Sequence, residues 1–462
     1  MDIRIYQRAR RARDSRFDGR FFIGVTSTGI YCRPICPAQP KEENVRYFAS
    51  AAAAAEAGLR PCLRCRPEAS PGTPAWLGTS ATVSRALKLI GESALDDADV
   101  ETLAGRLGIG SRHLRRLFLR YLGATPVAVA QTRRVHFAKK LIDETRLPMT
   151  QVAMAAGFGS IRRFNATFQK LYGRTPRELR AANAFNRNGH EAGHYTFRLG
   201  YRPPYDWDSL VDFLAMRAIP GVETVTSERY CRSIFMDGRA GSIAVAPVAG
   251  KNYLELQIQY PDPAALFRIV ERVRRIFDLG ADPAEVTSHL KQDAQLRAVV
   301  RAFPGMRVPG CWDGFEMSVR AILGQQVSVK GASTIAGRVA AAFGTDLTMG
   351  LTRGLLFPGA DALAEADLTR VGVTRQRAQS IRDLAQAVAR GDVTFDGSLD
   401  PEEFEQRITR ISGIGSWTAQ YIAMRLGEPD AFPAGDLHLR RAAGSPEAWR
   451  PWRAYAAMHL AQ

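Results

Sequence analysis

The sequence predicts a multidomain, mostly α chain. A small cysteine-held α/β unit comes first, then a helical unit built on a repeat, an α+β unit, and an all-α unit with a helix-hairpin-helix. Three observations carry the prediction. Two close cysteine pairs, Cys32/Cys36 and Cys62/Cys65, stand near the start; a glycine-turn sequence recurs at 103–111 and 152–160; and Ile411-Ser-Gly-Ile-Gly-Ser-Trp-Thr-Ala-Gln-Tyr421 joins two amphipathic runs. At 462 residues the chain suits roughly three or four domains, each able to bury its own core. A net charge of +17 and a pI near 10.0 imply an extended anionic partner. Nucleic acid fits better than a membrane, because no apolar run approaches the roughly 20 residues of a spanning helix.

Residues 1–72 hold Cys32-Arg-Pro-Ile-Cys36 and, after an Ala-rich helical stretch, Cys62-Leu-Arg-Cys65. Each pair supplies two thiolates without straining its turn, which suits one tetrahedral zinc ion. The N-terminus lacks a signal peptide's apolar segment, so the chain is expected in the cytoplasm, with its cysteines in metal or thiol chemistry and not in disulfides. A structural zinc clip is the simplest use of the spacing. Arg33, Arg60, Arg64 and Arg66 crowd the same pairs and point to phosphate contact. Thr28-Gly-Ile-Tyr-Cys-Arg-Pro-Ile-Cys36 with Arg60-Pro-Cys-Leu-Arg-Cys65 resembles the N-terminal domain of the Ada family of adaptive-response regulators. That resemblance implies one Zn2+ in a four-thiolate site formed by Cys32, Cys36, Cys62 and Cys65. It makes Cys32 also the nucleophile, which takes a methyl group irreversibly from a DNA phosphotriester. Four zinc-bound thiolates carry a net charge of about −2, which repels DNA; a thioether at Cys32 removes one negative charge and raises affinity for the backbone.

Residues 80–182 read as helices. Leu103-Ala-Gly-Arg-Leu-Gly-Ile-Gly-Ser111 recurs as Val152-Ala-Met-Ala-Ala-Gly-Phe-Gly-Ser160, and the copies end alike in Leu122-Gly-Ala-Thr-Pro126 and Tyr172-Gly-Arg-Thr-Pro176. A small residue, a glycine turn and a basic second helix are what a helix-turn-helix needs for close packing and groove entry. Two copies joined by a helix from about Val129 to Glu144 resemble the AraC-type DNA-binding domain. The resemblance implies an activator that binds double-stranded promoter DNA and works with RNA polymerase. Arg112, His113 and Arg116 in the first copy, and Arg162, Arg163 and Asn165 in the second, are the groove-facing candidates; solvated surface charge is the alternative for each.

Residues 183–194 carry turn formers and little periodicity, and read as a linker. Residues 195–282 then alternate as strands at 195–201, 222–235, 242–248 and 254–258, with helices at 207–217 and 263–277. Arg198-Leu-Gly-Tyr-Arg-Pro-Pro-Tyr-Asp-Trp-Asp208 resembles the N-terminal, TBP-like α+β domain of the AlkA family of 3-methyladenine DNA glycosylases. It carries no catalytic constellation, and a packing or DNA-supporting role is expected. Cys231 and Cys311 lie outside any pair and read as ordinary core thiols.

Residues 283–462 read as helical throughout. Phe404, Ile408 and Ile411 recur at helical spacing before the Gly413-Ile-Gly415 joint, and Tyr421, Ile422 and Met424 follow it. Gly413 and Gly415 permit a tight turn, leaving N–H groups and a helix N-terminus to face a DNA phosphate. Pro309-Gly-Cys-Trp-Asp-Gly-Phe-Glu-Met-Ser-Val-Arg-Ala-Ile-Leu-Gly-Gln-Gln-Val-Ser328 resembles the opening of the AlkA catalytic core. In that family this turn enters the duplex beside a flipped-out nucleotide, so Gln325 and Gln326 become gap-filling candidates, with solvated turn residues as the alternative. Trp417 and Tyr421 share a helix face. Either they pack in the core, or they hold an extruded base, to which cationic alkylpurines are drawn by electron-rich rings. Such a base already leaves well, so one carboxylate suffices to stabilise the oxocarbenium-like sugar and assist water. Asp436 matches the family's catalytic aspartate, although Asp before Leu437 is also a favoured helix N-cap. Related enzymes with lyase activity carry a lysine where Trp417 stands, which implies a monofunctional glycosylase. Two departures remain: the segment from Asp436 to Trp449 is short, and Ala461 replaces a pocket tryptophan. No Pro-Cys-His-Arg motif of the O6-methylguanine transferase half of Ada occurs. The combined reading is an Ada-type sensor and activator fused to an AlkA-type glycosylase. The alternatives are a regulator with an inactive glycosylase half and a cysteine cluster that is only a structural finger.

Overall fold

The structure, a computed structural model, describes residues 3–72, 81–96, 98–182, 193–349, 352–435, 439 and 446–461. In the cysteine unit a four-stranded sheet runs in the order β3-β1-β2-β4, with β1 Phe22–Val25, β2 Ile30–Cys32, β3 Val45–Phe48 and β4 Arg60–Pro61. Strands β2 and β4 are parallel, with Tyr31 opposite Pro61. That register sets Cys32 and Cys62, the next residue along each segment, beside one another. The Ala-rich helix Ala51–Glu56 is started by Ser50, whose hydroxyl accepts from the Ala53 N–H at 3.0 Å.

The two helix-turn-helix copies fold as Val100–Arg106 with Ser111–Leu122, and Met149–Ala155 with Ile161–Tyr172. Each second helix ends on a glycine in the left-handed region, Gly123 at φ +66° and Gly173 at +64°, where any other residue would be strained. The joining helix, Pro126–Glu144, starts three residues earlier than the apolar pattern indicates, because Pro126 suits the first helical position and the Thr125 hydroxyl caps it. The copies do not share one core. The first packs with the preceding helix Ala81–Gly91. The second is continuous with the α+β unit, where Phe137 meets Phe267 edge-on at 4.9 Å.

The α+β unit is an antiparallel sheet of order β5-β9-β8-β7-β6, from β5 His194–Gly200, β6 Glu223–Val225, β7 Tyr230–Met236, β8 Arg239–Pro247 and β9 Tyr253–Gln259. The single strand expected at 222–235 is a hairpin, turned where the Thr226 N–H meets the Arg229 carbonyl at 2.8 Å. Leu254, Leu256 and Ile258 are buried as their alternation requires.

Helices dominate the last unit, but it also contains a β-hairpin, β10 Thr345–Met349 and β11 Thr352–Leu356, which the helical reading of 283–462 lacks. Its second strand abuts the sheet unit: the Leu355 N–H donates to the Gly221 carbonyl at 2.8 Å. Helix Gly314–Leu323 is pinned to the same sheet by buried charges. Arg232 pairs with Glu316 at 2.7 Å, and Arg320 pairs with Glu316 and with Glu223. Among the described residues no helix is long and apolar enough to cross a membrane.

Candidate functional site

The sulfurs of Cys32, Cys36, Cys62 and Cys65 all lie within 4.8 Å of one another. A tetrahedral zinc–thiolate centre separates its sulfurs by about 3.8 Å, so the donor set and its spacing fit that ion. Cys32 is 5% exposed and Cys62 half-buried. The Arg33 backbone N–H donates to the Cys65 sulfur at 3.3 Å. Arg33 occupies a different place from the phosphate contact its position suggested. Its guanidinium is 13% exposed and turned inward, donating to both Asp18 oxygens and to the Cys65 carbonyl. Arg60 and Arg64 are exposed beside the cluster.

Arg112, His113 and Arg116 lie on the exposed face of helix Ser111–Leu122, opposite buried Leu114, Phe118 and Leu122. Arg162, Arg163 and Asn165 lie on the exposed face of helix Ile161–Tyr172, opposite Phe164, Phe168 and Tyr172. Arg116 and His113 also pair with each other at 2.8 Å.

The helix-hairpin-helix is formed by Pro401–Ile408 and Ser416–Arg425. Ile411 and Ile414 bury their side chains, while Gly413 and Gly415 stay exposed. Gly413 has φ +87°, and a Cβ there would fall 2.3 Å from Ser380 Oγ, so the turn requires glycine twice over. No side chain caps the helix that Gly415 begins. The two glutamines divide. Gln325 is half-buried and spends its amide on the hairpin, donating to the Gly413 carbonyl at 2.8 Å and to Thr418 Oγ1 at 3.2 Å, while Arg377 holds its carbonyl. Gln326 is exposed, at φ +54°. Trp417 and Tyr421 are half-buried, with ring planes 3° apart and centroids 5.7 Å apart. Gly435 rests on Trp417, 3.1 Å separating its Cβ position from the Trp417 side chain. Asp436 follows it in sequence and lies outside the described residues, as does most of the linker at 183–194. Ala461 is exposed at the end of helix Arg453–Leu460.

Two arginines stand behind this pair. Arg425 is buried, and its Nη1 donates to the Tyr421 hydroxyl at 3.2 Å. Arg217, from the α+β unit, meets the same hydroxyl and covers Phe213 at 3.7 Å. The i,i+4 spacing of Tyr421 and Arg425 was a usable signal; nothing in the sequence flags Arg217.

This fold and these sites define a DNA-repair protein in which a thiolate cluster and a tandem helix-turn-helix precede a helix-hairpin-helix glycosylase unit. Family models match along the chain: the metal binding domain of Ada at residues 6–68, a helix-turn-helix domain at 103–182, the AlkA N-terminal domain at 196–313, and the HhH-GPD superfamily of base excision DNA repair proteins at 319–459. The chain is 41% identical to a Mycobacterium tuberculosis protein named "Probable bifunctional transcriptional activator/DNA repair enzyme AlkA", across 98% of this chain and 95% of that one. It belongs to that family of bifunctional activator and repair proteins. DNA-3-methyladenine glycosylase 2 of Escherichia coli is 33% identical across 57% of this chain and 96% of its own length. The 3-methyladenine DNA glycosylase of Archaeoglobus fulgidus shares the fold of the C-terminal portion, with a TM-score of 0.50 at 23% identity, covering 57% of this chain and 97% of that one.

Proposed function

We propose that the chain couples two repair chemistries to one transcriptional response. Cys32 takes a methyl group irreversibly from a DNA methylphosphotriester, and the C-terminal half excises alkylated purines of the 3-methyladenine type. Cys32, Cys36, Cys62 and Cys65 would hold one Zn2+, whose charge keeps the thiolates deprotonated. Cys32 suits the nucleophile's part as the first cysteine of the Cys-Arg-Pro sequence that resembles the Ada family, with its sulfur within 4.8 Å of the other three. Loss of one negative charge on methylation then favours DNA, with Arg60 and Arg64 at the phosphates and the two basic recognition helices in the grooves, and RNA polymerase as the partner of the activator.

For base excision, the observation that carries the reading is the convergence of turn, hairpin and aromatic pair, tied together by the Gln325 amide. Gln326 is the exposed member and the better candidate for the gap left by a flipped nucleotide; Gln325 holds the turn. Gly413 and Gly415 would meet a phosphate, and Trp417 and Tyr421 the base. Asp436, sequence neighbour of the glycine on Trp417, supplies the carboxylate that stabilises the sugar cation and assists water. With Trp417 in the lysine position, the product is an abasic site without strand cleavage. Exposed Ala461 is the observation behind a second reading, a methylation-sensing regulator with an inactive glycosylase half. Incubation of the full chain with alkylated duplex DNA separates the two: released purines and heat-labile abasic sites are expected, and no release from folded protein favours the regulator.

A further inference from the structure

Tyr421 sits among charges that excision of a cationic purine does not use. Its oxygen accepts from Arg425 Nη1 at 3.2 Å, and the Arg217 guanidinium stands close enough to act on it electrostatically. Arg425 is locked in place, with Nε on the Pro309 carbonyl at 2.6 Å and Nη2 on the Gly310 carbonyl at 2.9 Å. It also lies 5.0 Å above the Phe213 ring that Arg217 covers. A guanidinium only donates, so neither arginine receives the phenol's own hydrogen. No hydrogen bond among the described residues accepts it either, although the ring is half-buried beside Trp417. Burial pushes the phenol up, but the two guanidiniums outweigh it and hold Tyr421 below its ordinary range.

A purine that is cationic while attached departs neutral and needs no proton. A neutral damaged base departs as an anion unless one is supplied. We propose that Tyr421 is a general acid of base excision, giving its phenolic proton to a departing neutral base; this rests on the base-excision reading above. The bond from C1′ to the base nitrogen breaks with its electron pair going to the base, which takes the Tyr421 proton and leaves neutral. Water adds its oxygen to C1′ and gives a proton to Asp436. The phenolate, stabilised by Arg425 and Arg217, regains a proton through solvent as Asp436 loses one.

The test is single-turnover excision by the full chain and by Tyr421→Phe, which keeps the ring, on duplexes carrying either 7-methylguanine, cationic while attached, or neutral hypoxanthine. The substitution is expected to slow 7-methylguanine release by a few-fold and hypoxanthine release by about 100-fold or more, the usual worth of a general acid. Equal losses on both substrates overturn the acid role and leave stacking alone. Release of 7-methylguanine but not hypoxanthine by the unaltered chain overturns it as well. Release of neither by the unaltered chain instead removes the base-excision reading on which it stands.

Discussion

Cys32 and Asp436 carry the two proposed chemistries, and single substitutions are expected to separate them. Cys32→Ala removes the proposed nucleophile. It is expected to abolish methyl transfer from phosphotriester DNA while leaving base excision intact, read by radiolabel on the protein and by released bases. Asn caps a helix as well as Asp but carries no charge. Asp436→Asn is therefore expected to keep the thermal midpoint and lose base excision; retained excision would leave Asp436 a cap alone. Residue types were largely legible in the sequence at this scale, but their division of labour was not. Gln325 and Gln326 are identical in type, and only the carbonyl of Gly413 within reach of the first distinguishes them. Arg33 likewise reads as a phosphate ligand until Asp18 is found beside it, because an ion pair between residues 15 apart leaves no local pattern.

At the scale of elements, the hairpin turn and the charge cluster under the glutamine turn are the exposed points of failure. Gly413→Ala combines a left-handed backbone with a 2.3 Å clash against Ser380 Oγ. Strain of this kind costs on the order of 1–3 kcal/mol, so a lower urea midpoint and weaker duplex binding are expected together. The side chains of Arg232 and Glu316 are 3% and 8% exposed. Glu316→Ala leaves Arg232 buried with one partner fewer, Glu223 at 3.7 Å, and is expected to cost about 3 kcal/mol in urea unfolding. The joining helix starts at Pro126 and not near Val129, because the local Thr125-Pro126 cap outranks the apolar pattern, as Asp400-Pro401 fixes the start of the first hairpin helix. The hairpin of β10 and β11 was not read from the sequence, and it is docked by a contact far away along the chain, the Leu355 N–H on the Gly221 carbonyl of another unit.

Across the whole molecule, the units are joined by polar contacts as well as by apolar cores. Arg85 donates to the Gly397 carbonyl at 3.3 Å and to the Ser398 carbonyl, Lys88 to the Leu426 carbonyl at 3.3 Å, and Arg106 meets Asp396 at 2.9 Å. The helix that precedes the first helix-turn-helix therefore grips the segment leading into the hairpin and the end of its second helix, and the helix-turn-helix itself adds the Arg106 ion pair. At the cysteine unit, the Tyr31 hydroxyl and His136 Nε2 share a 2.9 Å hydrogen bond, and Arg66 pairs with Asp143 at 2.7 Å. Burial pushes His136 down to about 4. Its folded value lies below the unfolded one near 6.5, so its contribution is complete above that pH and shrinks as pH falls toward 4, by about 2 kcal/mol at pH 5. Stability measured at pH 7 and pH 5 should show this loss, and His136→Gln should reduce it.

The sequence by itself determined the order and kind of the units, the four clustered cysteines, the two helix-turn-helix copies and the hairpin with its aromatic pair. All of these are written in short spacings and local backbone demands, which survive without any tertiary contact. Only the tertiary structure decided that the second helix-turn-helix shares its core with the sheet, that Gln326 and not Gln325 is exposed, and that Arg217 and Arg425 converge on Tyr421. Those outcomes depend on groups far apart along the chain, such as Arg217 and Tyr421, competing for the same carbonyls, hydroxyls and buried volume. No short window of sequence contains both partners.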